Sequence, residues 1–189
     1  MSAQLKEIQK LLKQHADKNA LVAQQRFVTG VEKVYGVYMP VLNNLAKQFK
    51  QADFDLVTEL WNAGSLEERI LAGKLLGRIA KRDPTNALQL VENFSGEITN
   101  WAVCDALGMQ ALKPVVKTHQ KEIFVLAKKL NKSQNQWQRR LSLVLVEWYT
   151  RNEPDHNEIK ELVNNLKNDK EYYVKKAVVW IERNFKKGR

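Results

Sequence analysis

Four ionisable residues recur at near-constant spacing. Arg69, Asp105, Arg140 and Lys176 lie 36, 35 and 36 residues apart, and each opens into a run of small and apolar residues. An aromatic stands about one helical turn before three of them: Trp101 before Asp105, Trp137 before Arg140, and Tyr172 and Tyr173 before Lys176. A period of that length is what two short helices and their turns occupy. Stacking such pairs makes a solenoid in which equivalent positions line one face. The spacing therefore predicts one row containing all four side chains, with Trp101 and Trp137 alongside. Each charge taken alone reads as an ordinary residue near a helix end; four in register argue for a shared face.

The rest of the chain is patterned for helices. Leu5, Ile8, Leu11 and Leu12 form one apolar stripe, with Lys and Gln opposite. A second helix is expected over Ala20–Val31, and Pro40 suits the first residue of a third. Ser65 with Glu68 three positions later is a capping-box pattern, and Pro84 opens the following helix. Further helices are expected over residues 98–112, 114–130, 134–152, 155–166 and 171–187. No segment alternates at period two for long, so no strand is expected. With only 8 Gly and 4 Pro in 189 residues, the turns that a sandwich or barrel would need are missing. The length fits a single domain, residues 1–189.

The net charge of +10 makes polyanions the leading partner class, nucleic acid first. No apolar run approaches the roughly 18 residues of a membrane span. The N-terminus lacks the apolar stretch of a secretory signal, and the expectation is a cytoplasmic protein. Cys104 is the only cysteine, and His15, His119 and His156 are far apart, so neither disulfide framework nor metal site is expected. Basic groups at repeat spacing can track a phosphate backbone, and lysines such as Lys47, Lys50 and Lys113 enlarge the field. Trp and Tyr beside such a row can stack on bases. Trp61 and Trp148 read as core.

Asp105 is the odd member of the row. It could pair with Arg139 or Arg140 and orient them. It could also face a cation in a bound substrate. A purine alkylated at N3 or N7 is cationic, and its glycosidic bond is weakened. When the bond breaks, the positive charge moves to the sugar as an oxocarbenium-like centre. That reaction needs a fixed negative charge near the sugar and a positioned water. One Asp flanked by aromatics on a basic platform is the minimum equipment.

The segments "NWAVCD", "WQRRL" and "YYVKKAVVWIERNF" together resemble the bacterial alkylpurine DNA glycosylases built from HEAT-like repeats, the AlkD family. The likeness runs from "QQRFVTGVEKVYGVYMP" to the end, and the Trp-x-x-x-Asp and Trp-x-x-Arg pair one repeat apart is its most specific part. It implies an all-α HEAT-like helical repeat solenoid with a concave basic groove. It also implies excision of cationic N3- and N7-alkylated purines from double-stranded DNA, without metal or other cofactor and without base flipping. By the same resemblance Asp105 falls on the catalytic aspartate, Trp101 on the stacking tryptophan and Arg140 on the arginine that holds the backbone near the lesion. Trp180 falls on a further DNA-contacting tryptophan and Phe27 on an aromatic of the N-terminal helices. The chain departs from the family at Phe27, where the family has tyrosine, at Asn100 and Ala102, and in stopping at Arg189.

The sequence thus leads to a monomeric, monofunctional glycosylase with Asp105 as catalyst. DNA contacts are expected from Trp101, Arg140, Arg139, Trp180, Phe27, Lys176, Arg69 and Trp137. Two other readings share the scaffold: a non-enzymatic binder of damaged or branched DNA, and a docking platform for acidic proteins.

Overall fold

A computed structural model of the chain describes residues 1–151 and 156–186. Eleven α-helices run along these residues. They are α1 Ala3–Gln14, α2 Lys18–Phe27, α3 Met39–Gln48, α4 Phe54–Ala63, α5 Leu66–Ile79, α6 Pro84–Ser95, α7 Trp101–Ala106, α8 Gln120–Asn131, α9 Gln136–Val146, α10 His156–Leu166 and α11 Tyr172–Lys186. A π-helix, Leu107–Ala111, continues α7, and 3₁₀ turns occupy Lys113–Val115 and Glu147–Arg151. No strand occurs among the described residues, and none of their helices is long and apolar enough to cross a membrane.

The helices form two layers. In the front layer α3, α5, α7 with its π continuation, α9 and α11 touch in succession. In the back layer α4 packs on α5, α6 on the π-helix and α9, α8 on α6 and α9, and α10 on α8, α9 and α11. This all-α arrangement is consistent with a HEAT-like helical repeat fold.

The layering explains the sequence patterns. The inner front helices α5 and α9 have neighbours on several sides, so they are buried around most of their circumference. In α5, Leu66, Ile70, Leu71, Leu75, Leu76 and Ile79 are all buried, and α9 buries every residue from Arg140 to Val146. The terminal α1 has one partner face and buries only Leu5, Ile8 and Leu12. Trp61 of α4 is fully buried and stacks on Phe94 of α6, with ring centroids 4.3 Å apart.

Helix ends follow the local chemistry. The Ser65 hydroxyl accepts from the Glu68 N–H and the Glu68 carboxylate accepts from the Ser65 N–H, completing the capping box. Pro84 begins α6, and Pro40 is the second residue of α3. Four segments differ from the sequence expectation. The helix expected over 134–152 is α-helical only over Gln136–Val146 and tightens into the 3₁₀ turn Glu147–Arg151, with residue 152 outside the described residues. α2 starts two residues earlier, on the Asp17 cap, and ends at Phe27 rather than Val31. Gly30 then adopts φ +78° and lies so close to the Thr99 carbonyl that a Cβ would collide with it. The helix expected from Pro114 begins only at Gln120. There Thr118 and His119 turn back on the Val115 carbonyl, and the Thr118 hydroxyl engages His119 Nδ1 at 2.9 Å, a local alternative to helix. The expected helix 98–112 is α-helical only to Ala106 and then widens into the π turn. Gly77 faces that turn and Gly108 lies within it: a Cβ on Gly77 would strike the Gln110 carbonyl, and one on Gly108 would sit 2.6 Å from Val144 Cγ1.

Candidate active site

The site is built at the N-terminal ends of the front helices. Asn100 caps α7 by accepting from the Val103 N–H at 3.0 Å, which fixes the first turn carrying Trp101. Asp105 lies four residues on, so it shares a helix face with Trp101. Asn135 caps α9 through the Trp137 N–H at 2.8 Å and sets the phase of Arg139 and Arg140.

Asp105 and Arg140 meet in a two-point ion pair. Arg140 Nε donates to Asp105 Oδ1 at 2.9 Å and Nη2 donates to Oδ2 at 2.8 Å. Arg140 Nη1 donates to the Tyr173 carbonyl of α11 at 2.6 Å, so one guanidinium ties α7, α9 and α11 together. The pair is asymmetric in burial: the Arg140 side chain keeps 8% of its surface and Asp105 keeps 25%. Burial works against the charge of Arg140, but hydrogen bonding to Asp105 and its negative charge outweigh this, and the guanidinium pKa is raised. Each carboxylate oxygen retains a second lone-pair direction, and the exposure of Asp105 leaves room to use it. The neighbouring Cys104 thiol is fully buried; desolvation, then the Asp105 charge, push its pKa well up, so it is no nucleophile here.

The row members Asp105, Arg140 and Lys176 share this edge, but they are not equally available. Trp101 is half-buried and donates from Nε1 to the Phe27 carbonyl at 3.1 Å; the Phe27 ring itself is 64% exposed. Lys176 is exposed, with its ammonium 4.8 Å from the Tyr172 ring centroid. Trp180 is half-buried. Arg69 is held over Trp61 and donates to the Glu97 carbonyl at 2.9 Å. Arg139 is engaged away from Asp105, with Nε at 2.6 Å and Nη2 at 3.3 Å from the Asp169 carboxylate. Trp137 does not lie open beside the row. It is buried, and its ring packs on Tyr173 with centroids 5.2 Å apart.

A strap crosses this edge. The α2–α3 connection is pinned by Glu67, a buried carboxylate that accepts from the N–H groups of Tyr35, Gly36 and Val37 at 3.0, 2.8 and 3.0 Å. From there it reaches Trp101 through the Phe27 carbonyl and α11 through Thr29, whose hydroxyl lies 3.0 Å from the Tyr173 hydroxyl. The residues that hold the site but escaped the sequence reading are therefore Glu67 and Asp169; Tyr173 was expected as an aromatic of the row, but not as the carbonyl that accepts from Arg140. Glu97 and Asp169 had a weak signal: each is an acid in the turn that precedes a front helix, about 30 residues after its arginine partner. Glu67 had none, because it looks like any acidic residue in a first helical turn.

A family model described as DNA alkylation repair enzyme matches residues 8–187. The chain belongs to that family. Membership supports a role in DNA alkylation repair, and it spans the strap, Trp101, the Asp105–Arg140 pair and α11 alike. A search of curated proteins finds no match.

Proposed function

We propose that this repair-family protein is a monofunctional DNA glycosylase that removes cationic N3- and N7-alkylated purines from duplex DNA. The observation that carries the reading is the Asp105 carboxylate, gripped at both oxygens by Arg140 yet still a quarter exposed, one turn from Trp101. An anion held in one orientation is what a developing oxocarbenium centre needs, because the protein spends no reorganisation at the moment of reaction.

The chemistry is heterolysis. The C1′–N bond of the alkylated nucleotide breaks, its electron pair goes to the base, and the base departs neutral. The positive charge left on the deoxyribose faces Asp105. A water hydrogen-bonded to the carboxylate adds to C1′ and passes its proton by way of that carboxylate to bulk water, leaving an abasic site. Arg140 keeps the carboxylate aimed, and its remaining N–H groups can meet a phosphate. Trp101, Phe27 and Trp180 supply ring surface against sugars and bases, and Lys176 and Arg69 supply charge along the backbone. Arg139 and Trp137 act by positioning: Arg139 anchors the turn before α11 through Asp169, and Trp137 seats Tyr173.

Incubating the protein with methylated duplex DNA tests this. Free 7-methylguanine and 3-methyladenine, with abasic sites in equal amount, are expected. DNA binding with no base release would support the second reading, a non-enzymatic binder in which the Asp105–Arg140 pair only bridges repeats. The mutual satisfaction of that pair is what keeps this reading alive.

A further inference from the structure

The strap joins parts of the chain that a stack of repeats keeps apart. In such a stack each unit touches only its neighbours. Thr29 and Tyr173 are 144 positions apart, yet their hydroxyl oxygens lie 3.0 Å from each other. Two residues before Thr29, the Phe27 carbonyl accepts from Trp101 Nε1 at 3.1 Å. Residues 27–29 therefore bridge from the first residue of α7 to the second of α11, and α9, which carries Arg140, packs on both of those helices.

The two sides of this bridge differ in rigidity. Tyr173 is a fixed point. Its ring packs on Trp137 and Tyr172, with centroids 5.2 and 5.1 Å away, and its carbonyl accepts from Arg140 Nη1. α2 is held more loosely: of its ten residues only Ala20 is buried. Hydrogen bonds tie it to the far end of the strap, from the Asp17 N–H to the Gly36 carbonyl at 2.8 Å and from Gln24 Nε2 to the Val37 carbonyl at 2.9 Å. A helix with so little buried apolar surface opens easily. Its last residue, Phe27, nevertheless supplies the acceptor for the Trp101 indole, which can only donate.

Burial of Val28 is the bland account of how the strap stays on the body. Apolar burial is non-directional, so it sets where residue 28 sits but not which way the preceding carbonyl points. Direction comes from the hydrogen bonds on either side, Trp101 at Phe27 and Tyr173 at Thr29.

We propose that Thr29 and Tyr173 are positioning residues, whose hydroxyl contact holds the strap so that the Phe27 carbonyl fixes the plane of the Trp101 indole. Tyr173 then places both halves of the site. Its carbonyl holds Arg140 and through it Asp105, and its hydroxyl holds Trp101 by way of the strap. For its effect on base excision the proposal rests on the glycosylase reading; for the aim of Trp101 it does not.

Thr29→Val and Tyr173→Phe each remove one hydroxyl and keep the shape of the side chain, whereas Thr29→Ser keeps the hydroxyl. Thr29 is exposed and Tyr173 half-buried, so melting should stay close to wild type. In the isotope-labelled, DNA-free protein the Trp101 indole N–H resonance, identified among the five tryptophans by its loss in Trp101→Phe, reports on the bond to Phe27. Thr29→Val and Tyr173→Phe are each expected to shift that resonance and to speed its exchange with water by about 2–10-fold, the range one neutral hydrogen bond supports. The double variant should match the single ones, since all three break the same contact, and Thr29→Ser should match wild type. Single-turnover base release should fall by a similar factor in the first three and recover in Thr29→Ser. Affinity for undamaged duplex should hold, because no charge is lost. An unchanged indole resonance in Thr29→Val or Tyr173→Phe, or a Thr29→Ser protein that behaves like Thr29→Val, overturns the proposal. So does base release at the wild-type rate from proteins whose indole has come free. If the wild type releases no base while the indole responds as expected, the glycosylase reading falls and the positioning role stands.

Discussion

Arg140→Ala is the most informative perturbation of the fold, because one side chain bridges three front helices. The substitution removes two hydrogen bonds to the Asp105 carboxylate and one to the Tyr173 carbonyl. Hydrogen bonds to charged groups contribute about 1.5–3 kcal/mol each, and removing one partner of a buried pair costs about 3–5 kcal/mol. Asp105 is a quarter exposed, so water would rehydrate part of the orphaned carboxylate and hold the loss near the lower bound. The expected destabilisation is about 3 kcal/mol. For a chain of this size each kcal/mol lowers Tm by roughly 2–4 °C, so a fall of roughly 6–12 °C is expected in thermal unfolding followed by circular dichroism. The double variant Arg140→Ala with Asp105→Ala should lose less than the sum of the single variants, since no buried charge is then left alone. An ordinary surface ion pair contributes only about 0–1 kcal/mol. A Tm drop under about 3 °C, or strict additivity, would refute the claim that this pair is a buried bridge.

Two further outcomes are expected. The Asp169 pKa is depressed: burial raises it, but the Arg139 hydrogen bonds and charge and the Glu171 N–H outweigh that. A depressed carboxyl stabilises the fold above its unfolded pKa of about 3.9, and that contribution is lost as pH falls through the folded value. Asp169→Asn should therefore show a shallower loss of stability than wild type in melts taken from pH 6 down to pH 2; parallel curves would mean that Asp169 contributes nothing through ionisation. Gly77→Ala sets two effects against each other. Alanine in a helix gains about 1 kcal/mol over glycine, but overpacking costs typically about 1–3 kcal/mol, and here the new Cβ meets the Gln110 backbone rather than a movable side chain. Net destabilisation is expected in urea unfolding, and a stabilised variant would show that the π turn yields easily.

The repeat was legible because packing enforces it. Positions that face the same neighbour in successive helix pairs must keep their phase, and Arg69, Asp105, Arg140 and Lys176 keep it to within one residue. That one residue matters. Trp101 precedes Asp105 by four, whereas Trp137 precedes Arg140 by three, and a single residue turns a helical side chain by roughly 100°. Trp101 thus stays at the edge beside Asp105, while Trp137 rotates inward against Tyr173. The sequence allowed Asp105 to pair with either arginine. Choosing between them required the Asp169 carboxylate, 64 residues downstream, which claims Arg139 and leaves Arg140 for Asp105. The π turn had no periodic signature: the close packing around it joins Gly108 to Val144 of α9 and Gln110 to Gly77 of α5, residues more than 30 positions away in the chain. The strap was invisible for the same reason: its anchors, Glu67 and the Phe27 carbonyl, act on segments far away in the chain.

The central claim is that the Asp105 charge lowers the barrier to base loss. Single-turnover release of 7-methylguanine from methylated duplex, with enzyme saturating, measures it for wild type against Asp105→Asn. Removing a preorganised electrostatic group commonly costs about 10²–10³ in rate. A loss of that size with DNA affinity preserved is the expected result. Release by the variant at the wild-type rate would contradict the account.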